Sequence, residues 1–158
     1  MTDYWVGSAT QADVDHVADN LRAQDIQEIK ATNGEADPRE FVLRCLRASR
    51  KTWAGRVDGK AVCLISLHTP GLLSGYSHPW FCGTEQLREH KQAFLRRCKA
   101  FAAELHADGG TLINWVDVRN RKAILWLGWM GFKVDVSTEV LYPATGQKFY
   151  RYSYGEQP

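Results

Sequence analysis

The sequence predicts one α/β domain over residues 1–158, built on a mixed sheet that carries helices on both faces. Three observations predict this class. Asp58-Gly59 stands between two β-rich runs and predicts a hairpin with a two-residue type I′ turn. A long amphipathic stretch runs from Thr84 to about His106. After it, strand and helix patterns alternate towards the end of the chain, which favours helices on both faces of the sheet.

The composition excludes several classes of protein. An apolar fraction of 44% and a charged fraction of 24% are typical of an ordinary globular domain. The net charge of +2 is too small to indicate a nucleic-acid partner. The N-terminal residues lack a secretory pattern, and no apolar run approaches the roughly 20 residues of a membrane helix. We therefore expect neither a membrane nor a nucleic acid as partner.

The first half of the chain carries clear boundary signals. Tyr4–Thr10 predicts a short strand, and Thr10 is a suitable N-cap with Asp13 three residues later. An imperfect helical stripe follows as far as a break at residues 32–34. Asp37-Pro38 then starts a second helix, because aspartate suits the cap and proline suits the first helical position.

The second half begins with a loop. Residues 69–79 are rich in Gly, Pro and Ser and lead to a short strand near residues 80–82. The pattern predicts one helix from Thr84 to His106, ended by Gly109-Gly110. The remaining predicted elements are a strand at Thr111–Val116, a helix at Arg121–Trp129 closed by Gly131, and strands at Val134–Leu141 and Phe149–Tyr154.

One segment resembles the Gcn5-related N-acetyltransferase (GNAT) superfamily at the level of single residues. Residues of the family's strand-to-helix junction recur at the usual intervals, and residues 57–62 resemble the family's hairpin between its second and third strands. The resemblance implies a mostly antiparallel central sheet whose middle strands splay apart to admit acetyl-CoA. The matching junction residues are Asn120, Ala123, Ile124, Gly131 and Phe132.

The chain departs from this family where the coenzyme binds. GNAT enzymes hold the pyrophosphate with an Arg/Gln-x-x-Gly-x-Gly/Ala loop, where free N–H groups and the helix dipole favour an anion. The corresponding stretch, Arg88–Ala93, contains no glycine and introduces Glu89. The resemblance still implies which residues would meet a bound coenzyme: Cys82, Arg88, His90, Lys91, Gln92, Ala93 and Asn120.

A second departure concerns catalysis. Many GNAT enzymes use a tyrosine on the helix after this asparagine to protonate the departing thiolate. Counted from Asn120 with the family's spacing, that position is Leu127, which has no proton to donate. Trp126 beside it is not an acid on this scale. The catalytic residues therefore stay unassigned.

Other polar clusters have an ordinary structural interpretation beside a functional one. The basic residues of the central helix predict a solvated face, or else a surface for an anion or a partner near Arg88. His68 and His78 could act as a general base or be loop histidines without a task. Tyrosines 150, 152 and 154 share one face of the last strand, as packing or as an interaction surface.

The four cysteines show no CxxC pair and no metal-ligand spacing. They predict reduced, mostly buried thiols in a cytosolic protein, without a bound metal ion.

Three functions follow from the resemblance and its departures. Residues 80–131 also resemble small GNAT-like proteins of short-tailed bacteriophages that are grouped with the internal virion proteins. This implies a non-catalytic protein of phage or prophage origin that contacts a phage or host protein, in the virion or the host cytoplasm. The alternatives are an acetyl-CoA-dependent N-acyltransferase with an atypical coenzyme loop, and a module that binds a CoA derivative or small anion. No cofactor is expected, other than acetyl-CoA if the protein is an enzyme.

Overall fold

The computed structural model describes residues 1–34, 37–71 and 73–156. Seven strands form one sheet in the order β1-β2-β3-β4-β5-β7-β6, and only the β4–β5 pair is parallel among these strands. The predicted mixed, mostly antiparallel sheet is confirmed. The elements are β1 Tyr4–Ser8, α1 Gln11–Asp19, α2 Ala23–Asn33, α3 Pro38–Ala48, β2 Lys51–Val57, β3 Lys60–His68, β4 Tyr76–Gly83, a 3₁₀ helix Glu85–His90, α4 Lys91–Gly109, β5 Thr111–Asp117, α5 Arg121–Met130, β6 Lys133–Leu141 and β7 Lys148–Tyr154.

The helix that the sequence predicts after Thr10 is two helices, so that prediction was wrong. The Thr10–Asp13 capping box forms as expected. The break comes at Leu21 and Arg22, which the end of β4 holds in an extended conformation. Leu21 forms a bridge with Thr84, and the Arg22 N–H donates to the Gly83 carbonyl at 2.9 Å. The contacts of Leu21 and Arg22 with the end of β4 therefore interrupt the helical conformation, and α2 begins after them.

The hairpin and the next strand follow the sequence to different degrees. Asp58 and Gly59 both have positive φ, 48° and 81°, which confirms the predicted turn. In contrast, β4 begins at Tyr76, inside the predicted loop, and it includes Pro79. The proline is tolerated because its position in the antiparallel ladder needs no N–H bond to β3.

The long helix predicted from Thr84 is also divided. A 3₁₀ helix spans Glu85–His90, and α4 begins only at Lys91. Two contacts explain the tighter first part: Leu87 is buried against the core, and the Tyr4 hydroxyl lies 3.0 Å from His90 Nδ1. Gly110, with φ of 72°, ends α4 as predicted.

The core forms three clusters: two large ones on opposite faces of the sheet, and a smaller one that includes Leu87 and Phe94. One cluster joins the sheet to α1, α2 and α3 and includes Val17, Val42 and Leu64. The cluster under α4 and α5 also takes in the predicted tyrosines 150, 152 and 154. Packing, rather than an interaction surface, is therefore the observed role of that tyrosine face.

The thiols are free, as the sequence predicts. Cys63, Cys82 and Cys98 are buried, and Cys45 is half-buried. Burial raises the pKa of the Cys63 thiol to about 12 and that of Cys98 to about 11. Within the described ranges, no helix is long and apolar enough to cross a membrane.

Candidate functional site

The two middle strands, β4 and β5, separate after a short paired stretch. They pair at only two positions, Tyr76 with Thr111 and Ser77 with Leu112. Beyond these, side chains bridge the strands: His78 Nδ1 donates to the Ile113 carbonyl at 2.7 Å, and Asn114 Nδ2 donates to the Pro79 carbonyl at 2.6 Å. The predicted splay is confirmed, and the side chain of Asn114 marks where the gap opens.

Phe81 presents free backbone groups at the edge of this gap. In an antiparallel pair, alternate residues bond to the neighbouring strand. The Thr84 N–H donates to Val62 of β3, so even-numbered residues of β4 face β3 and odd-numbered ones face the gap. On the gap side, the carbonyl of Pro79 and the N–H of Gly83 already bond Asn114 and Asp25. Phe81, between them, is the position where a peptide-like group in the gap would pair.

A cavity of about 510 Å³ occupies the gap and extends to both faces of the sheet. This volume is within the range of small-molecule sites. Residues of α2 and α3 line it on one face, among them Ile29, Phe41 and Cys45. Residues of α4 and α5, including Leu95 and Trp126, line it on the other.

Three of the seven residues predicted to meet a coenzyme lie on the wall of this cavity: Arg88, Lys91 and Asn120. Besides Arg22, which is already in an ion pair, the wall carries one further cationic side chain, that of Lys122 on the first turn of α5. The sequence offered no reason to select it, because a lysine in a first helical turn is usually a solvated one.

The other four predicted residues lie elsewhere. Cys82 is 2% exposed and packs in the cluster under α1, α2 and α3. His90 is held against the Tyr4 ring and hydroxyl. Gln92 and Ala93 belong to the first turn of α4 and lie off the described cavity wall. Alternation along β4 and the late start of α4 explain these placements.

The 3₁₀ helix changes what the start of α4 can offer an anion. Its i→i+3 bonds run directly into α4 and take up N–H groups that a helix beginning from a loop would leave free. The backbone therefore contributes less to anion binding than a glycine loop would. Any anion here depends on the side chains of Arg88, Lys91 and Lys122.

Leu127 and Trp126 stand where the family resemblance places the catalytic acid. Leu127 is 6% exposed and lines the cavity with an aliphatic surface. Trp126 lies beside it, with its ring 5.3 Å from that of Phe81. Its indole Nε1 is buried and has no hydrogen-bond partner among the residues described. An unpaired buried donor is costly, so a carbonyl group in the cavity would stabilise it.

Glu28 of α2 is a cavity residue that sequence reasoning missed. Its carboxylate accepts a hydrogen bond of 3.0 Å from Asn120 Nδ2, while Asn120 Oδ1 caps α5 by accepting from the Ala123 N–H. Burial raises the pKa of the Glu28 carboxyl, and the charges of Asp25 and Asp117 raise it further, against the bond from Asn120. Sequence reasoning missed Glu28 because the polar residues 25, 28 and 32 follow helical spacing, which is the pattern of an ordinary solvated helix face.

Glu28 differs from its acidic neighbours in having no cationic partner. Asp25 pairs with Arg22 at 2.8 Å, and Asp117 pairs with Arg119 at 2.6 Å. Within the described part of the chain, no lysine, arginine or histidine nitrogen forms an ion pair with Glu28. The Glu28 carboxyl can therefore take a proton or meet a cation that enters the cavity.

His68 and His78, the two candidate bases, lie at the end of the gap where β4 and β5 are still paired. Their rings stack with centroids 6.1 Å apart. His78 bonds the Ile113 carbonyl, and His68 bonds the Ala48 carbonyl at 3.1 Å. Both rings lie off the described cavity wall. Across the described ranges, no group of three His, Cys, Asp or Glu side chains is placed to hold a metal ion.

The chain is similar to solved acetyltransferase structures over nearly its whole length. A GCN5-related N-acetyltransferase from Kribbella flavida matches with a TM-score of 0.67 and 17% identity over 96% of each chain. Ard1 from Thermoplasma volcanium matches with 0.68 and 15%, also over 96% of each chain. The ribosomal-protein-S5-alanine acetyltransferase from Vibrio fischeri matches with 0.64 and 12%, over 95% of this chain and 91% of that one. No family model and no curated protein sequence matches the chain. These likenesses show that it has the GNAT fold.

Proposed function

We propose that this GNAT-fold protein binds an acyl-coenzyme A thioester between β4 and β5 and transfers the acyl group to an amine. The observation that supports this most is the cavity at the strand gap. Cationic side chains line it near the start of α4, and the unpaired Glu28 carboxyl lines it from α2. An enzyme that joins a polyanionic donor to a basic acceptor needs these two kinds of group in one cavity.

The cavity fits the arm of such a coenzyme in three respects. The free backbone groups of Phe81 suit an amide chain, the unpaired Trp126 Nε1 suits a carbonyl, and Arg88, Lys91 and Lys122 suit phosphates. The coenzyme, when bound, supplies an activated acyl thioester. Side-chain cations replace the glycine loop in this proposal, so binding depends more on salt than a backbone cradle would.

Glu28 receives the proton that the attacking amine must lose. Its raised pKa makes the carboxylate a better base than an exposed glutamate. Transfer forms a C–N bond at the acyl carbon and breaks the C–S bond, and the departing sulfur takes its proton from water. Leu127 has none to give, so turnover is slower than with a tyrosine acid, by a factor of about 10²–10⁴.

Calorimetry with acetyl-CoA and thiol release with a panel of amines test this function. We expect a dissociation constant of roughly 10–100 μM, which is about 5–7 kcal/mol of binding. Arg88→Gln with Lys91→Gln should weaken binding at least tenfold. Arg96→Gln with Arg97→Gln, at two exposed positions of α4 off the described wall, is the matched control and should change the affinity less than twofold. Absence of binding at millimolar acetyl-CoA would refute the proposal.

The second candidate is a non-catalytic protein of phage or prophage origin that contacts a phage or host protein. Two observations favour it: the aliphatic Leu127 at the position of the acid, and the missing glycine loop. Coenzyme binding without thiol release would favour the related alternative, a module that binds a CoA derivative or small anion. Neither binding nor release would favour the phage protein, whose place in the virion or host cytoplasm is tested by the identity of its neighbouring genes.

A further inference from the structure

On the α2 and α3 side, the cavity wall combines aromatic and aliphatic side chains with the half-buried Glu28 carboxyl group. Phe41, Trp80 and Tyr142 contribute rings to the wall, and Ile29 contributes an aliphatic side chain. The Trp80 indole N–H is already directed to Ser49 Oγ at 3.3 Å. These walls offer ring surfaces and methyl groups to whatever lies next to Glu28.

Of the polar side chains of α2 on this wall, Gln24 is exposed, and Asp25, Thr32 and Asn33 are already bonded within the protein. Thr32 Oγ1 donates to the Ile29 carbonyl at 3.0 Å, and Asn33 Nδ2 donates to Thr32 Oγ1 at 2.7 Å. Asp25 accepts from Arg22 and from the Gly83 N–H. Glu28 therefore stands out on this wall, because its half-buried carboxylate has only neutral donors recorded among the described residues, the Asn120 amide and the Asp117 backbone N–H.

From this arrangement we propose that the acyl acceptor is a small primary amine on an apolar, preferably aromatic, body. The inference rests on the proposed acyl transfer and names its acceptor class. The ammonium group meets the Glu28 carboxyl, and the body lies against Phe41, Trp80 and Tyr142, whose rings also attract a cation. Because the cavity of about 510 Å³ must also take the coenzyme arm, the acceptor is small.

Two other acceptor classes fit this wall poorly. A polyamine needs a second anion for its second ammonium group. The two carboxylates beside Glu28 are neutralised by Arg22 and Arg119, and the other carboxylate of the wall, Glu85, is exposed and already accepts from the Ala23 N–H at 3.0 Å. A peptide N-terminus brings amide groups that require partners, and the aromatic wall supplies few of them. Burial of such unpaired amides would oppose binding.

The test compares kcat/KM for 2-phenylethylamine, hexylamine, spermidine and a tetrapeptide at saturating acetyl-CoA, measured by thiol release. We expect 2-phenylethylamine to exceed spermidine and the peptide at least tenfold. Phe41→Leu should reduce the preference for 2-phenylethylamine over hexylamine about threefold or more. Leu43→Ala, on the same helix but off the described wall, should leave that ratio unchanged.

Glu28→Gln separates this inference from the proposed function. The amide can still accept from Asn120, so acetyl-CoA affinity should stay within twofold. Binding of 2-phenylethylamine, measured by calorimetry without turnover, should weaken at least tenfold. If thiol release is fastest with spermidine or the peptide, the acceptor class is wrong and acyl transfer stands. If acetyl-CoA does not bind, the proposed function is wrong; if 2-phenylethylamine also fails to bind, this inference falls independently.

Discussion

The side chain of Asn120 makes two hydrogen bonds, and three substitutions at this position separate their contributions to stability. Its Oδ1 caps α5 through the Ala123 N–H, and its Nδ2 donates to the Glu28 carboxyl. Asn120→Ala removes both. Loss of an N-cap costs about 1 kcal/mol, and loss of a hydrogen bond to a charged group costs about 1.5 kcal/mol. The free energy of unfolding should fall by roughly 2.5 kcal/mol, and the Tm of a domain of this size by about 5–10 °C.

Asn120→Ser keeps a capping oxygen but is too short to reach Glu28. It should lose only the second contribution, about 1.5 kcal/mol and 3–6 °C. Asn120→Asp also keeps the cap and places a second carboxylate beside Glu28, which would raise the pKa of that carboxyl further. Thermal unfolding followed by circular dichroism between pH 4 and pH 8 measures all three variants.

The pH dependence has a definite sign. The pKa of the Glu28 carboxyl is raised in the folded protein, so protonation of this group stabilises the fold. This stabilisation is fully present below pH 4.5, the ordinary pKa of a glutamate. It is lost as pH rises through the folded pKa. Asn120→Asp should therefore lose more stability at pH 8 than at pH 4. This account of the Asn120–Glu28 pair would be refuted if Asn120→Ser and Asn120→Ala lost equal free energies of unfolding. It would also be refuted if Asn120→Asp were as stable as the wild type at pH 8.

Three further predictions concern other parts of the molecule. Trp126→Phe removes the unpaired donor, so stability should not fall by more than about 1 kcal/mol, while acetyl-CoA affinity in calorimetry should drop about fivefold. Asp13→Asn should destabilise the protein at pH 7 in denaturant unfolding, because the bond from Arg56 lowers the pKa of Asp13. The stabilisation by the Asp13 carboxylate is present above pH 3.8, the ordinary pKa of an aspartate, and is lost as pH falls through the lowered pKa of the folded protein. The free energies of unfolding of the variant and the wild type should therefore converge below that lowered pKa. Cys45 lines the cavity and is half-buried, so it should react with a thiol reagent faster than Cys63, Cys82 and Cys98, and 2-phenylethylamine should protect it. Equal labelling of all four thiols in the native protein would contradict the observed burial.

Local chemistry made several features predictable from the sequence. The turn at Asp58-Gly59 needs positive φ at both residues, and the helix end at Gly131 needs a left-handed residue with φ of 100°. The cap at Thr10 depends on groups three residues apart. Each of these features is decided by neighbours in the chain, so a short stretch of sequence contains the relevant physics.

Contacts between distant segments decided the rest. The break before α2 depends on β4, and the late start of α4 at Lys91 follows a 3₁₀ helix tied to Tyr4. Glu28 meets Asn120 across 92 residues of chain, and its raised pKa arises only when the fold buries it near Asp117. The resemblance of the segment from Asn120 to Phe132 to the GNAT family indicated where the strand gap would lie. Only the folded chain could bury the Glu28 carboxyl in that gap beside Asn120 and the ion-paired Asp117, because burial and the charges around a group are properties of the tertiary structure.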